Sequence, residues 1–457
     1  MQESLETLET IFTAAVARVD PHDLIVDALS RQADHLTIST DDFQQTFNLA
    51  DFERIIILGA GKATAKMALA MEQILGARIS EGIISVKYGH TENLTRIQSM
   101  EAGHPIPDEN GLEAARRMAD LARAADERTL VITLISGGGS ALIPLPYASS
   151  GANGGKIAVS LTEKQAVTRI LLECGATINE INCLRKHLSL IKGGRLARMI
   201  HPAASVNLIL SDVVGDDLDA IASGPTTHDN STFNDVNAIV EKYDIGNRLP
   251  DTVRRLFRLG MQSKIPDTPA MGDPVFDRVH NILIGTNFLS LQAAAEKAKQ
   301  LGLPVVLLSS QVVGEAREVA KVLCGIAKDA KKHRLFGPPP LCIIAGGETT
   351  VTLLGKGKGG RNQEMALAFL AEIEKNPGAA EGIYFLSAST DGNDGPTDAA
   401  GAFACNDILA AAHKKGLLPD AYIKASDAYH FFDPIGALLK TGATNTNVCD
   451  IQLILIS

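Results

Sequence analysis

Short apolar runs recur along this chain, and most of them stop abruptly at glycine or small polar residues. In the first half they fall at 54–58, 82–86, 130–134 and 206–210; in the second at 281–285, 305–308, 341–344, 383–387 and 451–456. Between them lie stretches with apolar residues at helical spacing, among them 109–125, 161–172, 289–301, 314–332 and 364–374. Buried strands alternating with helices predict an α/β fold built on largely parallel sheet. At 457 residues the chain has room for more than one core. The segment 226–275 is polar, spotted with proline and poor in strand signal, so the expected domains are 1–260 and 275–457. Residues 4–33 read as an amphipathic helix pair, and 145–160 as a Gly/Ser/Ala-rich loop.

The glycine turns that end these strands carry the chemistry. After 341–344 come Gly346-Gly347-Glu348-Thr349-Thr350, then Gly355-Lys356-Gly357-Lys358-Gly359-Gly360-Arg361-Asn362-Gln363-Glu364 at a helix start. Glycines let backbone amides approach an anion, and a helix start adds the positive end of its dipole. Gly359, Gly360 and Asn362 are therefore expected at a phosphate. Arg361 suits a fork onto phosphate or carboxylate. The loop is not a Walker A motif, because Gly-Lys-Ser/Thr occurs nowhere in the chain.

Two similar turns stand in the first half. Gly59-Ala60-Gly61-Lys62 opens a helix, where a cation is misplaced unless an anionic ligand answers it. Ser136-Gly137-Gly138-Gly139-Ser140 has more glycine than a tight turn needs, which points to a ligand against the backbone. The first of these invites a dinucleotide-binding reading and fails it. Thr64 replaces the third glycine of the fingerprint, and the next strand ends in Lys87 where a ribose-binding carboxylate belongs.

Further polar groups cluster nearby in sequence. The stretch 179–196 sets Asn182, Arg185, Lys186, His187, Lys192 and Arg195 at helical spacing, a basic face that either meets substrate or is merely solvated. Asp212 and Asp216 follow one strand, and Asp391 and Asp394 another; carboxylates at strand ends suit Mg²⁺ or the orientation of a substrate hydroxyl. Helix capping is the competing role for Asp216.

The bulk numbers exclude some classes. A formal charge of −10 argues against a nucleic-acid surface. No apolar run is long enough for a membrane span, and the start Met1-Gln2-Glu3 is acidic, so neither membrane nor export is expected. Six scattered cysteines without a C-x-x-C pair suit reduced thiols, and the expected location is the cytoplasm.

Taken in order, these motifs resemble the class II glycerate 2-kinases. The N-terminal set is Gly59-Ala60-Gly61-Lys62-Ala63, 136–141, Leu184-Arg185-Lys186-His187-Leu188, Ser211-Asp212-Val213-Val214-Gly215-Asp216 and Ser223-Gly224-Pro225-Thr226. The C-terminal set is 346–350, 359–364, Thr390-Asp391-Gly392-Asn393-Asp394-Gly395 and Thr446-Asn447, which are similar to a MOFRL domain. The resemblance spans roughly 50–450, and some members have carried the label hydroxypyruvate reductase. It implies a Rossmann-like, three-layer N-terminal domain with a mostly parallel sheet and a C-terminal domain with a mixed sheet, the active site lying in the cleft between them. It implies ATP- and Mg²⁺-dependent phosphorylation of D-glycerate to 2-phosphoglycerate, with Lys62 and Arg361 at the positions of the family's proposed catalytic lysine and arginine. Gly59, Gly61 and 136–140 are then expected at nucleotide phosphates, Arg185, Lys186, Glu348 and Asp391 at substrate, and Asp212, Asp216 and Asp394 at the metal. The resemblance allows a homodimer. Asn445 departs from the family pattern, which has glycine there. The competing readings are a hydroxypyruvate reductase and a non-catalytic phosphosugar-binding regulator.

Overall fold

The computed structural model describes residues 2–149 and 156–457; residues 150–155 of the expected 145–160 loop lie outside the described residues. The chain groups into two compact units. One is Pro21–Ser211 with Asp216–Ile284, and the other is Met1–Asp20 with Asp212–Gly215 and Gly285–Ser457. This grouping cuts across the expected 1–260 and 275–457 spans. Helix Gln2–Arg18 joins the C-terminal unit because its apolar stripe, Leu8, Ile11, Phe12 and Ala15, belongs to one core with Leu291 and Ala294 of helix Asn287–Gln300.

The first unit is built on a six-stranded sheet. Its strands lie in the order Val279–Gly285, Ala204–Leu210, Thr129–Ile135, Arg54–Ala60, Glu81–Lys87, Ile97–Ala102, and the last five pair in parallel. Every residue of Thr129–Ile135 and Ala204–Leu210 is buried, as expected of strands covered on both faces. Helix Glu109–Arg123 packs Leu112, Ala115 and Met118 into one core with Ile56, Leu58 and Val131. A separate helical core holds Leu171, Leu184, Phe233, Leu256 and Phe257. It draws on helices Phe233–Lys242 and Asp251–Met261, which fill the stretch that reads as polar and featureless. The sequence pattern also passes over the edge strand Ile97–Ala102 and the antiparallel ribbon Leu29–Gln32, His35–Ser39, Gln44–Asn48. These are short, half-exposed strands whose pairing, not their apolarity, holds them.

The basic stretch 179–196 is not one helix. Helix Ile178–His187 ends at Leu188, and a second, Arg195–Ile200, starts only after Gly193 and Gly194 take positive φ of 55° and 73°. A Cβ at Gly194 would stand 2.8 Å from the Phe276 ring, so the break is a glycine-only turn.

The second unit carries a mixed sheet in the order Val305–Glu315, Leu341–Thr350, Asp450–Ile456, Ile383–Ser389, Gly401–Ala404, Leu438–Leu439. Its first pair is parallel and the others antiparallel. The strand that begins at Leu341 does not stop at the glycines but runs to Thr350. Gly347 is there because a Cβ would fall 2.2 Å from the Val312 carbonyl oxygen on the neighbouring strand. Helix Arg361–Lys375 is buried almost throughout, and Phe369 stacks on Phe385 with centroids 4.3 Å apart. Asn445 adopts φ 63°, a left-handed conformation that asparagine tolerates and that suits the glycine expected there.

Candidate functional site

In the first unit the two glycine turns interlock. Ser136 N donates to Ala60 O at 3.1 Å and Lys62 N to Gly137 O at 2.9 Å. The Ser136 hydroxyl is fully buried, accepts from Ala63 N at 3.1 Å and lies 3.1 Å from Thr64 Oγ1. It caps the helix Thr64–Leu75 from outside, so the Ser136 hydroxyl, expected at a ligand, has partners within the fold. Two of the glycines are likewise explained by packing. A Cβ at Gly61 would stand 2.0 Å from Ser136 Oγ, and one at Gly59 would stand 2.8 Å from Leu134 O. Gly139 faces Ala60 O in the same way, at 2.8 Å, and its amide turns back to Ser136 O.

Gly137 and Gly138 are different: their amides donate to no described residue. Gly138 has φ 82°, and a Cβ on it would lie 2.9 Å from the His104 ring and 3.5 Å from Lys62 Cγ. Lys62 therefore lies over the exposed face of this turn with His104. Burial, then the charges of Lys62, Lys87 and His90, push the His104 imidazole from its usual range down to about 4. His90 is lowered by burial and by Lys87. No carboxylate is among the groups acting on either ring. The turn is thus a pocket of positive and donor groups with no internal counter-charge, which is what an anionic ligand requires. Sequence reading missed His90 and His104, since nothing in a Gly-His-Pro loop announces that it folds over a glycine turn.

The rest of the basic stretch divides. Lys186, expected at substrate, is buried and its Nζ meets Asp219 Oδ2 at 2.9 Å and Asp229 Oδ1 at 3.3 Å. Its charge is answered within the fold, so it does not offer an anion site. It lines a cleft of about 680 Å³ together with Asp216, Asp219, Asp229, Asn182 and His228. Burial raises the Asp216 carboxyl, with Ser211 opposing and Asp217 adding to the rise. Lys192 donates to the Ser140 carbonyl at 2.6 Å and also to its hydroxyl.

In the second unit the glycine loop before helix Arg361–Lys375 does not stand open. Gly357 N donates to Ala425 O at 3.0 Å, Lys358 N to Asp427 Oδ1 at 2.8 Å, and Gly355 N to Ser426 Oγ at 3.3 Å. Lys358 Nζ sits 4.0 Å over the Tyr429 ring. The helix start itself is filled by the chain's own carboxylate. Asp394, 2% exposed, accepts from Asn362 N at 3.0 Å, Gln363 N at 2.8 Å and both their side-chain amides. A Cβ at Gly360 would stand 2.4 Å from Asp394 Cγ, so that glycine admits the cap. Asp394, expected at the metal, caps this helix, and Gly360 and the buried Asn362, expected at a phosphate, both lie against its carboxylate; Asn362 Oδ1 accepts from Ser387 Oγ at 2.6 Å. Gly359 lies against Ala428, with a Cβ at an unremarkable 3.4 Å.

Arg361 grips Asp450 bidentately, Nε to Oδ2 at 2.5 Å and the second nitrogen to Oδ1 at 2.9 Å, and meets Glu348 Oε1 at 2.8 Å. Burial opposes its charge, but these two carboxylates hold its pKa above the ordinary range. Burial raises Glu348, Arg361 lowers it, and Asp450, Asp212 and Asp391 raise it further. The neighbourhood is therefore acidic around one arginine. Asp450, fully buried, is a third residue that sequence reading passed over, hidden at the start of the last strand. Asp391 Oδ1 accepts from Ser389 Oγ and Asn393 N, both at 2.9 Å. Among the described residues no three His, Cys, Asp or Glu side chains come together to hold a metal ion. All six cysteines are free thiols, and among the described residues no helix is long and apolar enough to cross a membrane.

Comparison with known proteins covers nearly the whole chain. Residues 7–258 match the model of a domain of unknown function, DUF4147, and residues 341–450 that of the MOFRL family. A glycerate 2-kinase of Pyrococcus horikoshii is 37% identical over 97% of this chain and 95% of its own. A putative hydroxypyruvate reductase of Agrobacterium vitis is 39% identical over 99% and 94%. The crystal structure of a glycerate kinase from Thermotoga maritima is similar with a TM-score of 0.84 and 36% identity, covering 100% of both chains.

Proposed function

This chain belongs to the glycerate 2-kinase family, and on that premise we propose that it transfers the terminal phosphoryl group of ATP to the 2-hydroxyl of D-glycerate, giving 2-phospho-D-glycerate. The observation that carries this reading is the uncompensated positive pocket at Gly137 and Gly138, with Lys62 and His104 against the same glycine. Phosphoryl transfer asks little covalent chemistry of the protein; it asks for positioning and for neutralisation of phosphate charge. The Gly137 and Gly138 amides and the Lys62 ammonium, which have no partner among the described residues, supply both, and with its pKa at about 4 the His104 ring is uncharged at neutral pH. Arg361 commits two of its five N–H donors to hydrogen bonds with Asp450 and is ion-paired with Glu348, which leaves donors for a ligand. In this reading Asp391 and Glu348 orient hydroxyl groups. Mg²⁺ enters with the nucleotide, as the substrate MgATP.

A reductase is the weaker reading despite the name borne by one relative. Thr64, where a dinucleotide fold has its third glycine, is buried with its hydroxyl turned to Ser136, and Lys87 stands where a ribose-binding carboxylate belongs. The deciding experiment incubates the protein with ATP, Mg²⁺ and D-glycerate and identifies the product. 2-Phosphoglycerate supports the kinase reading. NADH or NADPH oxidation with hydroxypyruvate, and no phosphorylated product, would replace it with the reductase.

A further inference from the structure

Lys164 occupies the first turn of helix Leu161–Glu173, where a lysine ordinarily reaches water. Here it is 5% exposed, and its Nζ has no hydrogen-bond partner among the described residues. Burial, then the charges of Arg185 and Arg195, bring its pKa down to about 7. Lys192, 2% exposed, is lowered by burial and by Lys164 and Arg185, and Arg185 is itself lowered by burial. No carboxylate acts on any of the three. The contrast with Lys186 is direct: the residue after Arg185 receives two carboxylates from the fold, and its three basic neighbours receive none.

Of the three, Lys192 reaches the far end of the glycine turn, and Lys164 and Arg185 lie within electrostatic reach of Lys192. Lys192 Nζ holds Ser140, whose hydroxyl lies 3.0 Å from Ser223 Oγ; Ser223 in turn donates to Asn182 Oδ1 at 3.4 Å. Burying like charges without a counter-ion is costly, so such groups give up protons, as the lowered Lys164 pKa shows, unless an anionic ligand answers them. We propose that Lys164, Arg185 and Lys192, with the Ser140 and Ser223 hydroxyls, form a buried oxyanion pocket that binds the carboxylate of the acceptor hydroxy acid.

The assignment rests on the kinase reading and deepens it. An anionic oxygen group here has two sources, the acceptor's carboxylate and the nucleotide's phosphates. The two lysines are almost wholly buried, which suits a small group better than a polyphosphate chain. From Gly138, beside Lys62, to Ser140 the chain spans at most about 7 Å. In D-glycerate the reacting 2-hydroxyl is on the carbon bonded to the carboxylate, so a carboxylate held at Ser140 leaves room between that hydroxyl and Gly138 for the phosphoryl group it accepts.

The test compares the full-length wild-type protein with Lys164→Met and Arg185→Met. It measures kcat, KM for D-glycerate and for MgATP, calorimetric binding of D-glycerate and of neutral D-glyceramide, and melting temperature. Loss of one charge-assisted contact predicts a KM and Kd for D-glycerate raised by about 10- to 100-fold, with KM for MgATP within about twofold. The preference for D-glycerate over D-glyceramide should shrink in parallel. Lys164→Met should melt no lower than wild type, because it removes an unpaired buried charge. Unchanged D-glycerate KM and Kd in both variants would overturn the proposal, as would a lower melting temperature with D-glycerate binding intact. A rise confined to the MgATP KM would overturn it in favour of the nucleotide's phosphates. Wild-type protein that binds D-glycerate without phosphorylating it would sink the kinase reading and leave the binding comparison to decide the pocket.

Discussion

Replacing Asp394 separates the two roles a strand-end aspartate can play. As the cap of helix Arg361–Lys375 it answers four donors, the backbone amides of Asn362 and Gln363 and the side-chain amides of the same residues. In Asp394→Ala the Gln363 side chain retains Thr397 Oγ1, 2.9 Å away, so the main cost falls on the two backbone amides. Each buried donor left without a partner costs about 1–3 kcal/mol, so the pair costs about 4 kcal/mol. For a unit of this size that lowers the melting temperature by roughly 8–16 °C. Asp394→Asn keeps one carbonyl oxygen and turns an NH₂ toward the other amide, so about half the loss is expected. The assay is thermal unfolding followed by fluorescent dye, alongside a Mg²⁺ titration of kinase activity at a temperature where both variants stay folded. A cap predicts the large melting shift and an unchanged Mg²⁺ concentration for half-activity. An unaltered melting temperature with a strongly displaced Mg²⁺ dependence would refute the capping argument and return Asp394 to the metal.

Lys62→Ala should lower kcat by about a hundredfold or more, the range for losing a transition-state electrostatic contact, with little change in melting temperature; near-normal turnover would remove Lys62 from the chemistry. Gly138→Val places a branched side chain on a residue at φ 82° and 2.9 Å from the His104 ring, so turnover should be lost while circular dichroism stays near native; normal kinetics would mean that no ligand approaches there. The His104 pKa, held at about 4 first by burial and next by Lys62, should rise in Lys62→Met yet stay below 6.5, because burial remains. Titration by NMR checks the direction, and an unmoved pKa would mean that the two side chains do not interact. Because this histidine is harder to protonate folded than unfolded, it favours unfolding as pH falls from about 6.5 toward 4. Stability should therefore decline across that window, and less so in His104→Asn, as followed by urea unfolding at each pH.

Much of this molecule is legible in one dimension because the relevant forces act between neighbours in sequence. Apolar runs such as 130–134 and 206–210 can only be buried strands, and helix 109–123 announces itself by an apolar stripe that repeats with the helical turn. The alternation of the two specifies an α/β chain, and Lys62 at a helix start asks for an anion whatever surrounds it. What a charged group meets across the fold is not local. Lys186 and Lys164 look alike in the sequence, yet one is answered by Asp219 and Asp229 and the other by no hydrogen-bond partner among the described residues. Gly138 and Gly360 are both turn glycines; one lies beside free amides and a lysine, and the other makes room for a carboxylate from the loop after Ile383–Ser389. Whether a glycine-rich helix start is an open anion site or is closed by the chain's own Asp394 depends on which distant segment packs there. Sequence patterning determined the buried strands, most of the long helices and the charges at their ends; only tertiary packing decided the short half-exposed strands and which of those charges were already neutralised, because pairing and charge compensation act through space between residues far apart in the chain.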